Sequence, residues 1–185
     1  MSVTRAMLVI VPFALLIGCE RRAAVTAPMF SDEATAVSQG AEPRVTGSGH
    51  VLRDLGAGPE LTTFSYSAIG HADGSATGQY QYQFRAAGFF IHGSVLCVSV
   101  AGNQGWIGGL IDKVVSPDAE DQELVGTEIW WRVVDNGQGS DAVADQTTSL
   151  LFALPGLPIT AASWCRDQNV RGLLRDIVDG NIQVR

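Results

Sequence analysis

The sequence carries a single lysine, Lys113, beside eleven arginines, and its formal net charge is −7. A polyphosphate backbone is bound through a basic footprint, so no nucleic-acid partner is expected. Catalytic signatures are absent as well. A serine-hydrolase elbow needs Gly-x-Ser-x-Gly between strand and helix, which Gly47-Ser48-Gly49 and Gly139-Ser140 do not make. A zinc protease needs two histidines four apart with a glutamate between, whereas His50, His71 and His92 stand far from one another. A Gly-x-x-x-x-Gly-Lys phosphate loop is missing too. No cofactor is therefore expected, and the chain reads as non-catalytic. It shows no alternation of strands with helices, which argues against a dinucleotide-type sheet. The longest apolar run, Ala6 to Ile17, is too short to span a bilayer comfortably.

What the N-terminus does hold is an export pattern. Met1 to Arg5 forms a short stretch with one positive charge, and Ala6 to Ile17 has the length of a signal-peptide core. It ends in Leu16-Ile17-Gly18-Cys19, which resembles the lipobox of bacterial lipoproteins. The resemblance implies a signal peptide over 1–18 and a diacylglycerol anchor on Cys19, hence a membrane partner through the N-terminal lipid. An ordinary secretory signal or an uncleaved anchor are the alternatives. Arg21 and Arg22 follow the lipid, where each would gain about 1 kcal/mol against anionic headgroups. Glu20 stands where an Asp would resemble an inner-membrane retention signal, so the expected address is the periplasmic side of the envelope, with the outer membrane favoured. Residues 19–44, rich in Ala, Ser, Thr and Glu and broken by Pro28 and Pro43, read as a flexible tether to a domain over 45–185.

Assigning Cys19 to the lipid leaves Cys97 and Cys165. Outside the cytosol two such cysteines usually bond; two buried free thiols are the alternative.

Beyond the tether the pattern has period two. Phe64, Tyr66 and Ala68 alternate with Thr63, Ser65 and Ser67; Tyr80, Tyr82 and Phe84 alternate with Gln79, Gln81 and Gln83. Further strands are expected at Phe89–Ala101, Trp106–Val115, Thr127–Asp135 and Thr147–Leu154, with a short helix or two within Ala161–Ile177 and a last strand at Asn181–Arg185. These predict an all-β fold, an antiparallel β-sandwich or barrel of about eight strands, with a short partly helical C-terminal segment. Gly93 to Asn103, Val134 to Gly139, Ala72-Asp73-Gly74 and Gly180 to Val184 together look like a class of secreted bacterial β domains that includes the post-COAP repeat domains. That resemblance, over about residues 45 to 155, implies a β-sandwich outside the cytoplasm and supplies no catalytic residues.

Three candidate sites follow. Asp135, Asn136, Asp141 and Asp145 form an oxygen-rich cluster that either binds Ca²⁺ or simply builds a turn. The run Asp118, Glu120, Asp121, Glu123 reads as a solvated loop. In the strand around Trp130-Trp131, Ile129, Trp131 and Val133 share an apolar face, and Trp130 shares the other with Glu128 and Arg132. Trp131 is therefore the core residue. Trp130, with Glu128 and Arg132, is either an interaction surface or lies beneath the segment Pro155 to Ile177. The leading functional expectation is a lipid-anchored protein-interaction module, or an accessory subunit of a membrane complex. The alternative is a carbohydrate- or small-ligand-binding domain using Trp106 or Trp130 as a stacking platform.

Overall fold

The computed structural model describes residues 41–54, 58–139, 142–153, 156 and 158–185, all within the compact unit Gln39–Arg185. The expected signal peptide, Cys19, most of the expected tether and Asp141 lie outside the described residues. Nine strands follow in order: β1 Arg44–Asp54, β2 Pro59–Gly70, β3 Ala76–Phe84, β4 Phe89–Ala101, β5 Gln104–Val115, β6 Glu128–Val134, β7 Gln146–Thr148, β8 Leu151–Phe152 and β9 Leu174–Val184. A 3-10 turn, Glu120–Leu124, joins β5 to β6, and one helix, α1 Ala161–Asp167, precedes β9.

The strands are antiparallel and run β5-β4-β3-β2-β1-β9-β7-β6, after which β6 pairs back to β5. Eight strands thus close a barrel and leave no open edge on them. The ninth, β8, continues the edge that β7 begins: β7 pairs with Val133 and Val134, β8 with Ile129 and Trp130. Closure needs bent strands, and register shifts occur in β4 against β5 at His92/Gly93 and Val95/Cys97, and in β1 against β9 at His50/Val51.

An eight-stranded barrel is just wide enough inside to be filled by side chains. Phe64, Tyr66, Tyr80, Tyr82 and Trp131 fill this one, with the three tyrosine rings 5.3–5.8 Å from the Trp131 ring. Rings of that size demand small residues opposite them. A Cβ added to Gly47 would stand 2.6 Å from the Tyr66 hydroxyl, and one on Gly109 2.6 Å from the Tyr80 ring. The outer face of β1 to β4 is hydroxyl and amide: Ser48, Ser65, Gln81 and His92 form one cross-strand row, and Thr46, Ser67, Gln79 and Ser94 the next.

A second apolar cluster lies outside the barrel wall. Trp106 and Trp130 point outward from β5 and β6, and α1 covers them with Trp164 and Cys165. Thr160 caps α1 through a reciprocal bond pair with Ser163, and Gln168 ends it in the left-handed region at φ 46°. The Sγ atoms of Cys97 and Cys165 stand 2.05 Å apart and join the helix to β4.

Candidate functional site

Trp131 lies in the barrel core with Ile129 and Val133, on the face their parity assigned. Trp130 does not reach solvent: it is 2 % exposed, packed 6.2 Å from the Trp164 ring. Its companions are engaged by the same C-terminal segment and by β7. The Glu128 carboxylate accepts from the Ala161 N–H at 2.7 Å, and Arg132 is buried, its backbone N–H donating to the Thr148 hydroxyl at 3.0 Å while its Nε has no partner among the described residues. Covering Trp130 removes a large apolar surface from water, which α1 is pinned to achieve by the Trp164 Nε1–H bond to the Trp131 carbonyl (3.0 Å) and the Trp106 Nε1–H bond to the Asn169 carbonyl (2.8 Å). The expected interaction surface of Trp130, Glu128 and Arg132 is thus an internal packing face. Trp106, 3 % exposed, offers no stacking platform either.

The oxygen-rich loop is also committed to its own chain. Asp145, buried, accepts from the Asn136 N–H (2.8 Å) and the Ile182 N–H (2.7 Å). Asp135 accepts from the Gly137 and Val184 N–H groups at 2.9 and 3.0 Å, and the Asn136 amide donates to the Ala144 carbonyl at 2.7 Å. These carboxylates tie the loop to β9 beyond the reach of β7, which pairs only with Leu174–Asp176, and so give the Ile182 and Val184 N–H groups partners. Among the described residues no three His, Cys, Asp or Glu side chains are placed to share a metal ion. His50 bonds Thr63 at 3.0 Å and His71 bonds Thr77 at 3.0 Å, each beside its own strand, so the histidines do not converge.

The structure instead brings unspent chemistry together at the barrel end where β1 finishes and β2 starts. Arg53 and Arg175 come together there, just past the last β1–β9 pair, Val51–Ile177. With Thr62, Tyr82 and Thr148 they line a small cleft with room for about one water molecule, about 10 Å³. Arg53 Nε, Arg175 Nε and the Thr62 hydroxyl are buried with no hydrogen-bond partner among the described residues, and the Tyr82 hydroxyl beside them bonds Thr147. Burial first, and then the Arg175 charge, press the Arg53 guanidinium below its ordinary value, while Glu60 opposes them. The Arg53 guanidinium lies 4.8 Å over the Phe84 ring, a cation–π contact that recovers part of this cost.

Arg53 also forms one wall of a second hollow of about 450 Å³, lined by Phe84, Phe89 and Phe152 with Ala87 and Pro117. Its rim carries Glu60, Asp118 and Asp121. Each already accepts a bond: Glu60 from the Ala86 N–H (3.1 Å), Asp118 from the Glu120 N–H (3.0 Å) and Asp121 from the Ser116 hydroxyl. Sequence reading missed this end because β1 was not recognised as a strand. The available signal was parity: Val45, Val51 and Arg53 fall on one face of β1, a charge on an otherwise core-facing row. Among the described residues no helix is long and apolar enough to cross a membrane. No protein-family model, no curated protein and no solved structure matches this chain.

Proposed function

We propose that this is a non-catalytic binding protein of the cell envelope, lipid-anchored at Cys19, whose barrel takes a small ligand at the end marked by Arg53 and Phe89. One observation carries the reading: the hollow of about 450 Å³ is lined by three phenylalanines and lies at the mouth of a barrel whose interior is otherwise filled. Barrel mouths with an aromatic lining and few polar groups are where small ligands bind, and this volume is in their range. The protein-partner reading loses its carrying residues, since α1 covers Trp130, Glu128 accepts from the first residue of that helix, and Arg132 is 8 % exposed. The lipobox-like Leu16–Cys19 supports the envelope address.

Ala87 is exposed and lines the hollow without belonging to the core, so Ala87→Trp fills the hollow and spares the barrel. In ligand-observed NMR titrations of the full-length chain, the neutral probe 3-phenylpropanamide should bind the wild type with a Kd of about 1 mM, as expected for a ligand of its size. The Ala87→Trp variant should show no binding and an unchanged circular dichroism spectrum. Equal binding to both proteins, or none to the wild type, would overturn the reading.

A further inference from the structure

We propose that the paired guanidiniums of Arg53 and Arg175 form an anion-binding subsite, and that the ligand of the adjoining hollow is a small carboxylic acid with an aromatic or aliphatic tail. The inference rests on the small-ligand reading above and names the chemistry of that ligand.

Three buried groups around one cleft are left without a partner among the described residues: Arg53 Nε, Arg175 Nε and Thr62 Oγ1, with the Tyr82 hydroxyl, bonded to Thr147, beside them. Leaving one such group unsatisfied is costly, so three grouped at one point mark a site whose partner comes from outside the chain. Thr62 is 1 % exposed, so bulk water does not satisfy it. Two guanidiniums keep their charge under any ordinary condition and repel one another, and Glu60, cross-strand from Arg53, offsets only part of that. A carboxylate answers all of these demands. It accepts from both guanidiniums and the Thr62 hydroxyl, and it cancels the repulsion between the guanidiniums.

The same geometry sets the size and polarity of the rest of the ligand. The cleft has room for about one water-sized group, enough for a carboxylate oxygen but not for a phosphate. Arg53 is shared by the cleft and the hollow, and its guanidinium stacks on Phe84, which faces the hollow. An acid held on Arg53 therefore directs its tail among Phe84, Phe89 and Phe152. The rim carboxylates Glu60, Asp118 and Asp121 each accept a bond from the chain itself but keep their charge, so the acid is held by Arg53 and Arg175 against them. A hollow of about 450 Å³ fits a molecule of drug-like size, which favours a free small acid over a protein surface.

The test compares 3-phenylpropionate with its neutral amide on the full-length chain, by the same NMR titration. The acid should bind the wild type at least tenfold more tightly than the amide. Arg175→Gln should reduce that preference to less than threefold and leave the affinity for the amide unchanged. Thr62→Val removes an unpaired buried hydroxyl at nearly constant volume, so it should fold at least as well as the wild type and still weaken the acid several-fold. Equal affinity for acid and amide in the wild type, with both lost in Ala87→Trp, would overturn the anion subsite while leaving the hollow as a binding site. Failure of both probes to bind would overturn both. A peptide ending in a free phenylalanine carboxylate is the third arm: if it binds while 3-phenylpropionate does not, the small-acid assignment falls.

Discussion

The three tyrosines of the chain, Tyr66, Tyr80 and Tyr82, all lie inside the barrel around Trp131, and this makes its response to alkali calculable. Burial pushes all three phenols above their ordinary value of about 10. For Tyr66 the neighbouring Tyr82 adds to the shift, and for Tyr80 the Asp112 charge does. For Tyr82 the Tyr80 phenol adds to it, while Arg53 opposes it. In the unfolded chain the same phenols ionise near pH 10. Their contribution to stability is therefore complete below about pH 10 and is lost as the pH rises from there toward the folded values. Each group costs about 1.4 kcal/mol per pH unit over that interval, so the three together cost about 4 kcal/mol per unit. A domain stable by about 5–15 kcal/mol should then unfold within about one to four pH units above 10. The titration is unusually clean, because Lys113 is the single lysine and the arginines ionise far higher. Absorbance at 295 nm should stay flat past pH 10 and then rise in one step that coincides with loss of the near-ultraviolet dichroism of the tryptophans. Tyr82→Phe should make the dependence on pH shallower by about a third. Smooth ionisation centred near pH 10 with the dichroism intact would show that the phenols are reached by solvent and refute the packing described above.

Two further outcomes test the second cluster. Trp131→Ala and Trp130→Ala should each cost about 3–5 kcal/mol in urea unfolding, since both rings are almost fully covered; a near-neutral Trp130→Ala would mean that α1 does not seal that face. Replacing both Cys97 and Cys165 with Ser opens a loop spanning a sequence separation of 68 and should cost about 4 kcal/mol by the chain-entropy estimate. Non-reducing mass spectrometry of exported protein should find the linked peptides, and two free thiols there would refute the bond.

Much of the barrel could be read from side-chain alternation, because a strand presents its residues to opposite faces at a fixed period of two. The stretches at Thr62, Gln79, Phe89 and Trp106 fall within β2, β3, β4 and β5 for that reason. β1 was harder to see: its inward positions Gly47 and Gly49 carry no side chain, so the apolar beat drops out where Tyr66 needs the space. The C-terminal segment mixes two structures. The helix ends at Asp167, and the last strand begins at Leu174, well before Asn181, because β9 is held by the distant strands β1 and β7 and not by its own composition.

The candidate sites divide along the same line. Alternation by itself determined that Trp130 and Trp131 point to opposite faces of β6, and that Trp131 shares the apolar one. It did not determine what lies over the other face, because parity fixes a direction and carries no information about which distant segment occupies it. That was decided by α1, whose Trp164 and disulfide to β4 put a second core where solvent was a fair expectation. Arg53 and Arg175 are the converse case. Each is an unremarkable arginine in sequence, and only the pairing of the first strand with the last, which closes the barrel, places two unpartnered guanidinium nitrogens at one mouth.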